Sequence, residues 1–421
     1  MIRRRGAPAL LAVAVMLFAA SGAAVAKPSR EAGASADKLV VWHYFTTPGQ
    51  VNALAKMAKL FNAQNPGVKV EFEFKPFAQM TQAVLASAVA KRGPDVIVYQ
   101  WGDMLKLVDS KAIRSMTPYL RKWPESKFFP ASVVHGVRRG EYSQGKGAIY
   151  TIQPYVNLIA MYYNKDILDK LAIKPPTTID QFEAALAKLE ANGKGGLLTD
   201  AGPGVSGWWN GMPWFFANGV DIRMRDRATI ERVLTRLRSW IVKGYIPQDV
   251  TSVSTGVDTR SRWAAGDFAF MVNGNWELST VTKDAKFNWG VVRMPSGPAG
   301  SSVYLGGEGV AIGAFTKNPN LAWKFLQATW LGKKGQLVLP TIGSVPARTD
   351  LAGNPAITKA RGLTPFLKSV PSGKRLPITQ AENAAQNLFG DTYSGVLAGQ
   401  LSPASAADRL VKETPKLLGT G

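Results

Sequence analysis

The stretch "GDFAFMVNGNW", Gly266 to Trp276, ends an apolar run on a glycine turn and sets a tryptophan just beyond it. Trp101 likewise follows the apolar run "DVIVYQ", and Trp208, Trp209 and Trp214 crowd "VSGWWNGMPWFF", which its glycines and proline mark as a loop. Tryptophan carries a flat apolar face and one N–H donor. It can stack on the C–H face of a sugar while neighbouring Asn, Gln, Asp or Glu take the hydroxyls. The alternative for each is simple packing. Trp240, Trp323 and Trp330 sit in helical patterns and are assigned to core.

Other chemistries find less support. Two histidines, His43 and His135, stand far apart with no partner at ligand spacing, so no metal site is expected. The chain has no cysteine, hence no disulfide, thiolate site or thiol nucleophile. It holds no G-x-S-x-G elbow, and its glycine-rich stretches "GGEG" and "GKGG" match no phosphate-binding loop. A glycosidase needs two carboxylates across the scissile bond; Glu308 is the best acid, without an obvious second. No cofactor is expected.

These residues need elements to position them. At 421 residues the chain is long enough for two lobes, and 46% hydrophobic with 19% charged residues is globular composition. "KLVVWH", a helical stretch from Val51 to Phe61, "VKVEFEF", a second helix over Gln79–Lys91 and "PDVIVY" read as strand, helix, strand, helix, strand: an α/β lobe with a mostly parallel sheet. Thr178 with Gln181 forms a capping-box pattern before a helix that Gly193 ends, and Ile230, Val233, Leu234, Leu237, Trp240 and Ile241 form one helix face.

Arg3 to Arg5, an apolar run and "AVA" form a signal-peptide pattern, with cleavage expected near Ala26 and a flexible lead-in over residues 27–37. An uncleaved anchor is the alternative. The formal charge is +22; the leader's three arginines leave +19. Such a charge suits nucleic acid, an anionic ligand or an acidic medium, but Lys and Arg are scattered, and no nucleic-acid partner is expected.

Five segments in order resemble the extracellular solute-binding proteins of ABC importers, in the branch serving sugars and glycerol phosphates. They are "LVVWHYFTTPGQVNALAKMAKLFNAQNPGVKVEF", "GPDVIVYQWGDMLKLVDSKAIRSMTPYL", "IAMYYNKDILDKLAIKPPTTIDQFEAALAKL", "RWAAGDFAFMVNGNWEL" and "YLGGEGVAI" with "KNPNLAWKFL"; "GSVPAR" also fits. The resemblance implies a two-lobed α/β periplasmic-binding-protein fold (type II-like), its discontinuous lobes joined by a hinge. One lobe would be 38–150 plus 298–350, the other 151–297 plus 351–421.

It also implies the ligand site. Trp276, with Asn275, would be delivered to the cleft by the strand before it. Tyr44, Gln100, Trp101 and Asp103 follow strand ends of the first lobe. Tyr155 stands at the hinge, and Trp208, Trp209 and Trp214 match a variable aromatic loop. Gly306 and Gly307 would let backbone approach ligand, Glu308 stands where the family commonly has tryptophan, and Arg348 matches a frequent ligand-side arginine, with an interlobe salt bridge as its alternative. The implied function is a non-enzymatic, monomeric periplasmic receptor, not lipid-anchored, that hands a carbohydrate to a membrane permease. Two alternatives are a glycerol 3-phosphate or other anion binder, and an exported carbohydrate-active enzyme.

Overall fold

The structure, a computed structural model, describes residues 37–252, 256–376, 379 and 381–419. The leader and most of the lead-in lie outside the described residues.

The larger sheet has eight strands. Val68–Phe74, Asp37–His43 and Val96–Gln100 pair in parallel, as expected from strands separated by the helices Pro48–Asn62 and Phe77–Val89. Beyond them the sheet turns antiparallel: Glu308–Gly313 runs against Val96–Gln100, and Ala148–Ile152, Val134–Arg138 and Glu141–Gln144 follow. The sequence reading missed this antiparallel half. Its hairpin turns at Arg139 and Gly140, both with positive φ, in a stretch of weak periodicity.

The run "VIVY" is covered on both faces, and alternation decides which side chain meets which layer. Val96 and Val98 join Leu54, Met57, Phe61 and Phe325 on one face; Ile97 and Tyr99 join Met80, Val84, Met104 and Leu107 on the other.

The second sheet has four strands in the order Gly195–Leu198, Phe268–Gly274, Ile159–Asn164, Trp289–Val292. Its core is a separate cluster that takes in the helices Ile179–Ala191, Val205–Ala217, Arg227–Val242 and Glu382–Leu397. All six residues assigned to the face of Arg227–Val242 are buried. Between the sheets, Tyr155–Val156 pairs with Val345–Pro346 in a two-stranded ribbon.

Residues 205–217, read as loop, form a helix. The glycines there serve contact rather than freedom. A β-carbon on Gly207 would come 2.9 Å from the Gly390 α-carbon, and one on Gly390 would run into the Gly204 carbonyl, so this helix and Glu382–Leu397 cross backbone to backbone. Gly390→Ala is expected to destabilise by roughly 1–3 kcal/mol through overpacking, read as a lowered denaturation midpoint.

The capping box expected at Thr178 is half formed. Thr178 accepts from the Gln181 N–H, but the Gln181 side chain accepts from Thr177 instead. A complete box forms at Thr47 and Gln50, at the head of Pro48–Asn62.

Candidate functional site

A chamber of about 600 Å³ opens where the ends of several strands meet. Gln100 ends one strand and Glu308 begins its antiparallel neighbour, and the two are paired in register. Tyr44 follows the strand Asp37–His43, and Trp276 follows Phe268–Gly274. The walls are aromatic: Tyr44, Phe77, Trp209, Trp276 and Tyr304. The polar lining comes from Gln50, Gln100, Asn157 and Glu308, with Thr46 and Thr47.

The glycines account for the tryptophans. The Trp276 ring folds back over Gly274, where a β-carbon would run into it, and the Trp209 ring occupies the same kind of space beside Gly306. The rings of Trp209 and Trp276 meet edge to face at 5.6 Å, and Trp209 meets Tyr304 likewise at 5.0 Å. Gly307, at φ +133°, holds a backbone turn that suits glycine, and its neighbour Gly306 bridges to Asn157.

Glu308 lies buried at the chamber wall. The Asn157 amide donates to its carboxylate at 3.0 and 3.3 Å, and the hydroxyls of Tyr155 and Tyr44 donate as well. Burial nonetheless dominates and pushes this carboxyl up to about 7. Glu277 also lines the chamber but is paired with Arg260 at 2.8 Å. None of the described residues lining the chamber is Lys or Arg. The helix Pro48–Asn62 points its N-terminus here, yet Thr47 and Gln50 already bond the N–H groups of Gln50, Thr46 and Thr47.

A second chamber of about 750 Å³ adjoins the first across Tyr44, Phe77 and Gln100. Asp103 lines it, accepting from Thr81, from Lys106 at 2.9 Å and from Asn383 at 2.9 Å.

The remaining expected site residues are placed elsewhere. Trp101 touches the first chamber, but its faces are taken: His135 stacks at 4.5 Å and the Arg375 guanidinium lies 5.0 Å from the ring centre. Tyr155 stands behind Glu308 and does not line the chamber. Asn275 is fully buried and works as a staple. Its carbonyl oxygen accepts from the Leu158 N–H at 2.7 Å, and its amide donates to the Gly343 carbonyl at 2.8 Å.

Trp208 and Trp214 are core residues, a correction that follows from the helix replacing the expected loop. Trp208 packs on Phe389 and Tyr304; Trp214 stacks on Phe182 at 5.6 Å and meets Trp240. Arg348 is corrected too. It is buried, bidentate to Asp350 at 2.9 Å, paired with Glu125 and bonded to the Leu331 carbonyl, away from both chambers.

Phe77, Asn157 and Tyr304 line the site and were missed. Phe77 stands 46% exposed and edge-on to Tyr44 at 5.0 Å, three residues past the strand Val68–Phe74. The strand-end rule that selected Tyr44 selects it equally. Asn157 and Tyr304 lay inside runs read only as strand.

Glu382, at the head of the helix Glu382–Leu397, reaches the segment just past the strand Val96–Gln100. Its carboxylate accepts from the Tyr304 hydroxyl at 2.7 Å and presses on Gly102, where a β-carbon would meet it at 2.5 Å. Burial raises it to about 7, aided by Asp103 and opposed by the Tyr304 bond, Lys106 and Arg375. A folded value above the unfolded one favours the protonated fold. That stability is full at low pH and is lost as pH rises from the ordinary range towards 7. Glu382→Gln is therefore expected to gain stability relative to the parent between pH 5 and pH 8, on the order of 3 kcal/mol, in paired thermal denaturation curves.

Among the described residues no helix is long and apolar enough to cross a membrane. A profile of the bacterial extracellular solute-binding proteins matches residues 56–365. The sn-glycerol-3-phosphate-binding periplasmic protein UgpB of Escherichia coli (strain K12) is 27% identical over 262 residues, 57% of each chain. Two solved structures superpose over 91% of this chain. The GacH receptor of Streptomyces glaucescens, also solved with acarbose, does so with TM-score 0.79 and 20% identity over 98% of its own chain. Maltose-bound MalE3 of T. maritima does so with TM-score 0.78 and 21% identity over its full chain. The two sheets with separate cores and a ribbon between them are the two-lobed α/β fold of such receptors, and the chain belongs to the bacterial extracellular solute-binding proteins of ABC importers.

Proposed function

We propose that the chain is an exported receptor that binds a carbohydrate, mono- or oligosaccharide, in the aromatic chamber and delivers it to a membrane permease. The observation that carries the reading is the pairing of aromatic walls with an amide and carboxylate lining and no Lys or Arg among the described residues there. Aromatic faces suit the C–H surface of a pyranose, and Gln100, Asn157 and Glu308 suit its hydroxyls. An anion such as glycerol 3-phosphate would meet a carboxylate, no cation and a capped helix end. The likeness to UgpB does not outweigh that chemistry. The solved structures bound to acarbose and maltose support a saccharide.

The proposed lobes are 38–150 plus 298–350 and 151–297 plus 351–421, with crossings near 150–154, 294–297 and 348–353, the first and last beside the ribbon of Tyr155–Val156 and Val345–Pro346. Ligand touching Tyr44 and Gln100 on one side and Trp209 and Trp276 on the other would favour the closed arrangement by its differential affinity. The proposed setting is the periplasm, with the protein a monomer. Titration of intrinsic tryptophan fluorescence with saccharides tests the reading. A saturable change is expected, lost when Trp209 and Trp276 are both replaced by Phe or Ala. A panel of mono- and oligosaccharides that leaves the emission unmoved would refute it.

A further inference from the structure

We infer that the saccharide carries a basic nitrogen: the chamber selects an amine-bearing sugar, its ammonium held by Glu308 against the rings of Tyr44, Trp209 and Trp276. The inference rests on the carbohydrate reading above and narrows it.

The chamber's ionisable side chains carry it. A chain with formal charge +22 places no Lys or Arg of the described residues in this lining, yet places two carboxylates there. One of them, Glu277, is neutralised by Arg260. Among the described residues Glu308 has no cationic partner. The titratable groups that face it are the hydroxyls of Tyr44 and Tyr155, beside the Asn157 amide, and all are neutral donors. Other cations around the chambers serve other residues: Lys106 pairs with Asp103 in the second chamber, and Arg375 lies over Trp101 and donates to Gln153.

A carboxylate has about four acceptor positions; the Asn157 amide, the two tyrosine hydroxyls and the Glu308 backbone N–H meet it here, and an ammonium would take the place of one of the hydroxyl donors. Placed in a desolvated chamber it takes either a proton or a cation. The walls favour the cation, because an ammonium near an aromatic face is attracted by the ring quadrupole, most strongly with tryptophan. A hydroxyl in the same position gains a hydrogen bond but neither the ion pair nor the ring attraction. A neutral sugar needs polar acceptors at this wall, and an amide would serve it without the cost of a buried acid.

The test is calorimetric, on matched pairs that differ at one substituent: glucose and glucosamine, galactose and galactosamine, cellobiose and its diamino counterpart. Each is titrated into the full chain and into Glu308→Gln, at pH 6 in two buffers of different ionisation heat. At least one amine member is expected to bind tenfold or more tightly than its hydroxyl partner. Binding of the amine is expected to release a proton, seen as a buffer-dependent heat, because Glu308 gives up its proton to pair with the ammonium. In Glu308→Gln the preference should fall to about one and the proton release should vanish, while far-ultraviolet dichroism reports an unchanged fold. Hydroxyl members binding as well as amines, or a preference that survives Glu308→Gln, would overturn the inference and leave the carbohydrate reading standing. No member of any pair binding, with glycerol 3-phosphate bound instead, would overturn both.

Discussion

Trp276→Ala is expected to weaken saccharide binding at least thirtyfold while leaving the fold intact. The ring is only partly buried: it packs on the rim of the second core, over Gly274 and edge-on to Trp209. Its removal costs the second sheet little. A tryptophan at the centre of a binding surface is commonly worth about 2 kcal/mol or more, which converts to that factor. Titration of the best saccharide into parent and variant measures the loss. Unchanged affinity would move the ligand away from this wall.

Asn275→Ala is expected to do the opposite: little direct contact with ligand, and a large loss of stability. Both polar ends of the Asn275 side chain are used at zero exposure, one on the Leu158 N–H and one on the Gly343 carbonyl. Alanine leaves two buried backbone groups unpaired, at about 1–3 kcal/mol each, so roughly 2–6 kcal/mol in all. The Leu158 amide lies just after the ribbon strand Tyr155–Val156, and Gly343 just before its partner Val345–Pro346. The staple therefore fixes the ribbon as well as the tryptophan beside it. Chemical denaturation of the apo protein measures the effect; a change below about 1 kcal/mol would contradict it.

The contrast between these neighbours shows what was legible in the sequence. "FAFMV" announced a buried strand by its composition, and the residues past its end were expected to contact ligand, whereas Asn275 is a buried staple. Which residue does what depends on partners more than a hundred positions away, such as Leu158, and periodicity does not report those. The helix Val205–Ala217 failed for a related reason. Gly207 and Gly211 read as breakers because their partners, Gly390 and Phe389, are remote; they are the contact surface of a close helix crossing. Once the segment is helical, only Trp209 of its three tryptophans reaches the chamber.

Arg348 shows the same limit for charge. Its type and place suggested a ligand contact, and its long side chain turns instead to Asp350 and Glu125. Glu308 was legible as a singular acid between glycines. Its neutral donors, Tyr44, Tyr155 and Asn157, come from two other stretches of chain and emerge only in the fold. The parallel strands at the start of the larger sheet were legible because each is separated from the next by a helix of clear period. The antiparallel half is built from short strands whose order the sequence does not encode locally.

The charge question resolves along the same line. The formal +22 is spread over the chain, and the chamber takes none of it from its described lining residues. Ligand binding should therefore depend weakly on ionic strength, since buried interactions are screened far less than exposed ones.

The most direct test of the central claim is a thermal-shift survey of the protein against saccharides, amino sugars, polyols and glycerol phosphates, at low and high salt. A ligand at ~1,000 times its dissociation constant stabilises by roughly 4 kcal/mol, a readily measured shift. The account predicts stabilisation by a saccharide, neutral or amine-bearing, that persists in high salt. Stabilisation by anions alone, lost as salt is raised, would contradict it.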